Sequence, residues 1–185
     1  MTSPEPDFTR FYQYMLCSAA TDAARELAQC IAVRAVAGTT FRFSGQNLEA
    51  MKSVNQVLDA ARQVRQRAYA PYSGFRVGAA VLDAGKRIAI GANVECSSYG
   101  LTLCAERAAL AAAYAEGMDT ILMVAVAADT DEPITPCGAC RQWIVELAPH
   151  ALVAMLTLNG RERWCTPSEL LPLAFGERVF RSSPS

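Results

Sequence analysis

The chain has a single histidine, no excess of either charge and no apolar run long enough to span a membrane. Each shortage removes a class of function. His150 stands alone after Pro149 with no partner motif, so it reads as a solvated residue near a helix end rather than as the fourth ligand of a structural zinc site. Seventeen Lys and Arg against eighteen Asp and Glu leave a net charge of -1, without the basic stripe that a polyanion requires, so nucleic acid is not expected as substrate or partner. The most apolar run, Ile121–Ala128, falls far short of the roughly 20 residues that cross a bilayer, and it reads as a buried strand. Residues 1–9 hold two prolines, two acids and no Lys or Arg, unlike the start of a secretory signal. A transit peptide is disfavoured too, because Glu5, Asp7, Asp22, Glu26 and Glu49 offset Arg10, Arg25, Arg34 and Arg42. No membrane partner is expected.

Seven cysteines, an odd number and scattered apart from one Cys-x-x-Cys, suit a reducing cytosol better than a disulfide framework. The expected location is therefore cytoplasmic. At 185 residues and 52% hydrophobic, the chain can bury one sizeable core.

Residues 19–37 form an alanine-rich helix candidate with Ala20, Ala24, Leu27, Ile31 and Ala35 on one stripe and Gly38 beyond it. Residues 39–45 read as a connector or edge strand. A second helix starts near 44–47, carries Met51, Val54, Leu58, Ala61 and Val64 along one face, and ends before Pro71. Arg62, Arg65 and Arg67 stand opposite that face as a solvated surface. Strands are expected at 75–82 and 87–95 about a hairpin at 83–86, and again at 121–128 and 152–158. Helices are expected at 103–116 and 138–147, with a short capped helix over 166–169. Helices alternating with strands imply an α/β sandwich whose sheet is covered on both faces. Residues 1–45 read as an N-terminal extension with one helix, and 46–185 as the main domain.

The chemistry-bearing residues sit in two short stretches, Leu103-Cys104-Ala105-Glu106-Arg107 and Thr135-Pro136-Cys137-Gly138-Ala139-Cys140-Arg141-Gln142. Alone, the Cys-x-x-Cys pair is open to three readings: a redox dithiol, half of a structural zinc site, or two core thiols. Pro136 and Gly138 suit a tight strand-to-helix corner that holds an ion. Cys137 and Cys140, three apart at a helix start, can point to one side, and Cys104 supplies a third ligand. Three protein ligands leave the fourth tetrahedral position for water, and Glu106, two residues beyond a ligand, is placed to move that water's protons. A redox dithiol would not require Cys104-Ala105-Glu106.

Cys-x-Glu followed by Pro-Cys-x-x-Cys is the three-cysteine form of a known zinc nucleobase deaminase signature. From about residue 61 to 175 the chain resembles the small, three-cysteine, homotetrameric cytidine deaminases. The resemblance lies in Tyr69-Ala70-Pro71-Tyr72-Ser73, Phe75-Arg76-Val77-Gly78-Ala79-Ala80, Asn93-Val94-Glu95, Cys104-Ala105-Glu106-Arg107, Pro136-Cys137-Gly138-Ala139-Cys140-Arg141-Gln142 and Glu169-Leu170-Leu171-Pro172-Leu173-Ala174-Phe175. It implies a three-layer α/β/α sandwich about a mixed sheet of about five strands. It also implies Zn²⁺ on Cys104, Cys137 and Cys140, and hydrolysis of cytidine and 2'-deoxycytidine to uridine, 2'-deoxyuridine and ammonia in pyrimidine salvage.

By the same resemblance, Glu106 shuttles protons during attack at C4, and Arg107 drains charge from the ligand thiolates. Asn93 and Glu95 bind the ribose 3'-OH, Phe75 flanks the pyrimidine, and Ala105 contacts the substrate. Tyr99 and the backbone near Ser97 approach a neighbouring subunit's 5'-OH, while Phe175 closes over a neighbouring site, so the partner is a further copy of the chain. The resemblance gives Arg141 no role. A carboxylate at Glu95 would repel a phosphate, which favours a nucleoside over a nucleotide. Cys96 and Ser97 depart from the family's usual asparagine and alanine. Two alternatives are a deaminase of blasticidin-type antibiotics, against which Phe75, Asn93 and Arg107 stand, and a non-catalytic zinc module, which has no use for Glu106.

Overall fold

Three strands are apolar except for a last residue, Asp83 in one and Thr157 in another, which places them in the middle of a sheet covered on both faces. The computed structural model describes residues 22–37 and 47–176. The helices are α1 (Asp22–Ala37), α2 (Asn47–Val64), α3 (Ala105–Ala115), α4 (Gly138–Leu147) and α5 (Pro167–Leu170), and the strands are β1 (Val77–Asp83), β2 (Ile88–Ala92), β3 (Ile121–Ala128), β4 (Leu152–Thr157) and β5 (Glu162–Cys165). Every residue of β1, β3 and β4 is buried. The sheet order is β2-β1-β3-β4-β5, with β3 and β4 parallel across the α4 crossover and the other pairs antiparallel. This is the expected mixed sheet.

Alternating side chains divide the core into two clusters. Ala80, Leu82, Ala125, Ala127, Ala154 and Leu156 face α1 and α2. Ala79, Val81, Val124, Val126, Val153 and Met155 face α3 and α4. Met51, Val54, Leu58, Ala61 and Val64 are all buried, so the 3.6-residue stripe of α2 is its packing face. Leu27, Ala28, Cys30 and Ile31 of α1 join the same cluster, and Arg34 pairs with Glu162 of β5 at 2.8 Å. Ala20, Gly38 and the connector over 39–45 lie outside the described residues.

The expectations and the structure part in several places. Regular α2 ends at Val64, short of Pro71, and a 3-10 turn over Arg65–Arg67 follows. The reason is competition: the Tyr69 amide donates to the Asn93 carbonyl at 2.9 Å and the Glu95 amide to the Tyr69 carbonyl at 2.8 Å, drawing this segment to the sheet edge. Arg62 is not a solvated charge; half-buried, it reaches the Thr157 carbonyl at 3.4 Å and lies 3.6 Å from Glu162. His150 is likewise half-buried, and burial lowers its pKa. Strand β5 had no counterpart among the individual strands expected, because Glu162-Arg163-Trp164-Cys165 turns only Trp164 fully inward. Thr166 and Glu169 do form the expected capping box.

Candidate active site

Two glycines let the helices approach the sheet. A Cβ on Gly78 would lie 2.2 Å from the Ala61 carbonyl oxygen of α2, and one on Gly91 would lie 2.3 Å from the Ala109 nitrogen and 2.6 Å from the Ala105 oxygen of α3. Gly91 therefore fixes how closely the helix that begins at Ala105 sits on β2.

Cys104 and Cys137 are the N-caps of α3 and α4, one position before the first helical residue. Both have extended backbones, and neither side chain makes a capping hydrogen bond. Their sulfurs meet instead: Cys104 Sγ lies 3.7 Å from Cys137 Sγ, and Cys137 Sγ lies 3.5 Å from Cys140 Sγ. All three ligand atoms fall within 4.8 Å of one another. A tetrahedral zinc with Zn–S of about 2.3 Å has S···S edges of about 3.8 Å, so these thiols fit the ion. Cys140 is buried, Cys104 is half-buried and Cys137 is exposed, which leaves the cluster a floor and an open side.

The cluster's electrostatics suit a cation. The Cys104 thiol is pulled down to about 5, first by its hydrogen bond with Cys140 and also by Arg107. Cys140 is pushed up, first by the same bond and then by burial. Two helix N-termini point at the sulfurs and favour thiolate. Glu106, in the first turn of α3, is only 5% exposed, and burial is the main cause raising its carboxyl pKa. Burial makes this carboxyl hold a proton more readily than a solvated one, as a group that shuttles protons requires.

Arg107 donates through Nη2 to the Thr102 carbonyl at 2.8 Å and lies 3.8 Å from Cys104 Sγ. Its Nε is buried without a hydrogen-bond partner among the described residues. Arg141 makes three bonds of its own, from Nε to the Pro136 carbonyl at 2.8 Å, from Nη2 to Thr135 Oγ1 at 3.1 Å, and from Nη1 to the Leu170 carbonyl at 3.2 Å.

The residues expected to meet the nucleoside are tied to one another by hydrogen bonds and form a rim. Asn93 is 8% exposed; its Oδ1 accepts from the Val77 amide at 2.8 Å and its Nδ2 donates to the Phe75 carbonyl at 2.9 Å. One lone pair and one N–H of the carboxamide are left over. Glu95 Oε2 accepts from the amides of Tyr72 at 2.9 Å and Ser73 at 3.2 Å, and Oε1 accepts from the Ser73 hydroxyl. That hydroxyl is the first cause holding the Glu95 carboxyl below its usual range. Ser73 Oγ in turn accepts from the Phe75 amide at 2.9 Å, and Phe75 is 44% exposed. Val94 pairs with Leu103 through bonds of 2.9 and 3.0 Å, so the rim is tied to the residue preceding Cys104.

Ala105 is fully buried under the cluster, whereas Ser97 is exposed and Tyr99 and Phe175 stand out at 71% and 60% exposure. Tyr99 meets Tyr72 edge to face with centroids 5.7 Å apart, and the Phe175 carbonyl accepts from Gln142 Nε2 at 2.7 Å. Three contributors carry no role that the sequence alone assigns: Gly91, Ser73 and Arg141. Only Ser73 leaves a local signal, as a serine in a Pro-Tyr-Ser-Gly turn whose hydroxyl can bond the backbone two residues on.

Three thiols around one metal position, open on one side and beside a buried acid, define a catalytic zinc centre and not a structural one. Residues 51–156 match the family model described as the cytidine and deoxycytidylate deaminase zinc-binding region. Cytidine deaminase of Halalkalibacterium halodurans is 50% identical over 120 residues, covering 64% of this chain and 91% of that protein. Among solved structures, cytidine deaminase from Burkholderia pseudomallei superposes with a TM-score of 0.63 at 44% identity, covering 65% of this chain and 98% of that one. The Mycobacterium tuberculosis enzyme gives 0.59 at 38% identity, covering 67% and 98%. The chain belongs to the cytidine deaminase family. Helix α1 lies before the family match begins.

Proposed function

We propose that the chain catalyses zinc-dependent hydrolytic deamination of cytidine and 2'-deoxycytidine, giving uridine or 2'-deoxyuridine and ammonia, as a step of pyrimidine salvage. The observation that carries this reading is Glu106, a buried carboxyl one position past the N-terminal end of α3 and two past a cysteine of the thiol cluster. Cys104, Cys137 and Cys140 would hold the ion, and a zinc so held lowers the pKa of a water towards ~7. Glu106 accepts one proton from the attacking water and delivers it to N3 of the ring, then takes the remaining proton of the new C4 hydroxyl and passes it to the amine, which leaves C4 as ammonia while the C4 carbonyl forms. Arg107 stands where it offsets charge on Cys104. Asn93 and Glu95 orient the ribose 3'-OH through the lone pairs and N–H their backbone bonds leave free, and Phe75 flanks the base. Ala105 supplies the close backbone beneath the ring.

The enzyme works as a homotetramer with shared sites in this reading. Tyr99 and the backbone near Ser97 approach a neighbour's 5'-OH, and Phe175 covers a neighbour's substrate. Their exposure, and that of Leu173 at 97%, supports a further copy of the chain as the partner. Cys96, Cys104, Cys137, Cys140 and Cys165 form no disulfide among the described residues, which supports a cytoplasmic setting. No described helix is long and apolar enough to cross a membrane. Neither membrane nor nucleic acid is a proposed partner. Residues 46–185 form the proposed catalytic domain and 1–45 its extension.

A second reading rests on a 28% identity over 144 residues to blasticidin-S deaminase of Bacillus cereus. An ultraviolet assay of the purified protein with cytidine, deoxycytidine, their monophosphates and blasticidin S separates the readings. Turnover of both nucleosides and little turnover of the monophosphates is expected, with loss of activity and retention of zinc in Glu106→Ala. Turnover of the antibiotic alone overturns the cytidine assignment, and equal rates on the monophosphates overturn the preference for nucleosides.

A further inference from the structure

Arg141 follows a metal ligand directly, yet the three acceptors its guanidinium reaches among the described residues are all neutral oxygens, neither sulfur nor carboxylate. Two of them, the Pro136 carbonyl and Thr135 Oγ1, belong to the loop that runs straight into Cys137. The third is the Leu170 carbonyl at the end of α5, one of the last-turn carbonyls that a helix cannot satisfy by itself. The next residue along α4, Gln142, donates to the Phe175 carbonyl at 2.7 Å. One turn of α4 therefore grips the metal-ligand loop on one side and the segment from Leu170 to Phe175 on the other. Neutral acceptors in three directions call for the planar fork of arginine and have no need of its charge.

We propose that Arg141 is a positioning residue that couples the Cys137 loop to the C-terminal segment carrying Phe175, so that retention of zinc and closure over the nucleoside weaken together when it is lost. The second half rests on the reading of Phe175 as a cover for substrate. Arg107 differs from it in reaching a ligand sulfur, whereas Arg141 acts only through backbone and a hydroxyl.

The test uses the zinc-loaded full chain and the variants Arg141→Ala, Arg141→Lys and Gln142→Ala. Three quantities are read: zinc release to a chromophoric chelator, amide hydrogen exchange over 133–137 and 171–176, and KM for cytidine. Both Arg141 variants should release zinc about tenfold faster or more, the usual scale for groups that support metal ligands. Exchange should rise in both segments, and KM should rise by several fold with a smaller change in kcat. Gln142→Ala should raise KM and exchange over 171–176 while leaving zinc release alone. Zinc release within twofold of the parent in Arg141→Ala, or exchange rising in only one segment, overturns the coupling even if the melting temperature falls. Should Arg141→Ala not fold, Arg141→Lys decides the question by the same two criteria, because it keeps the charge and loses the fork. Zinc release and exchange need no turnover, so a parent that fails to deaminate cytidine removes the functional reading and leaves the coupling to be decided by these two.

Discussion

Cys140, Ala105 and Glu106 are buried, whereas Phe75, Tyr72 and Tyr99 stand 44%, 52% and 71% exposed. The metal side is held by close backbone packing, with Gly91 at the contact between β2 and α3. The rim is held by hydrogen bonds, with Glu95 gathering two amides and the Ser73 hydroxyl around one carboxylate. Packed backbone cannot yield by a rotamer change, while exposed hydrogen bonds exchange with water at small net cost. The thiol cluster is therefore preorganised by the core, and the proposed substrate contacts lie in a layer that can vary without unsettling the core.

Matched glycine variants would break this comparison most severely. Gly91→Ala places a Cβ 2.3, 2.6 and 2.8 Å from three backbone atoms of α3, so the helix bearing Glu106 must shift. The expected loss is about 3 kcal/mol of stability and about 100-fold in kcat, the scale of a misplacement near 1 Å. Gly78→Ala meets the Ala61 carbonyl of α2 at 2.2 Å and the Arg65 nitrogen of the following 3-10 turn at 2.5 Å, on the opposite face, and it should cost similar stability with kcat within about fivefold in the fraction that folds. Thermal melts with kcat per bound zinc check both. Equal kcat losses would mean that packing on either face controls the site, and the contrast between the two regions would fail.

Glu95→Gln sharpens the other side. A carboxamide oxygen can accept from some of the three donors, but its NH₂ group cannot, so the turn over 71–74 loses its anchor and, in the proposed reading, the ribose loses an acceptor. KM for cytidine should rise about tenfold, with zinc content unchanged and kcat within about twofold. A fall in zinc content here would show that the rim and the metal pocket are one mechanical unit, joined through the Val94–Leu103 pairing.

Much of the metal side was legible because its chemistry is written in residue types at short spacing. Cys-x-x-Cys with Cys104 and Glu106 names a centre regardless of tertiary detail, and Ile121–Ala128 and Gly138–Leu147 were bounded by their own apolar run and proline corner. The illegible part is what depends on contact between distant segments. Gly91 looks like any strand glycine until α3 lies against it, and the end of α2 depends on Tyr69 being captured by Asn93 and Glu95. Arg62 read as solvated because nothing local in α2 shows that β5 will bring Glu162 alongside. The carboxamide of Asn93 illustrates the intermediate case: the motif marks it as a candidate ribose contact, but its bonds to Phe75 and Val77 form only once β1 and β2 pair.

The smallest effect is expected on the face that serves neither region. Helix α1 lies outside the family match and packs on α2, on the side of the sheet away from the thiols. The Arg34–Glu162 pair, whose side chains are both 11% exposed, ties it to β5. Arg34→Ala removes one partner of a mostly buried pair, which can cost ~3–5 kcal/mol where the remaining charge is left alone. Glu162 is not left alone, because Arg62 sits 3.6 Å away and Trp164 Nε1 donates to it at 3.2 Å. The expected loss is accordingly about 1–2 kcal/mol, or roughly 2–8 °C in melting temperature. Zinc release and KM for cytidine should stay within about twofold of the parent. If either moves further, α1 communicates with the site through α2 and the sheet, and it is then part of the catalytic unit and not a cover for its rear face.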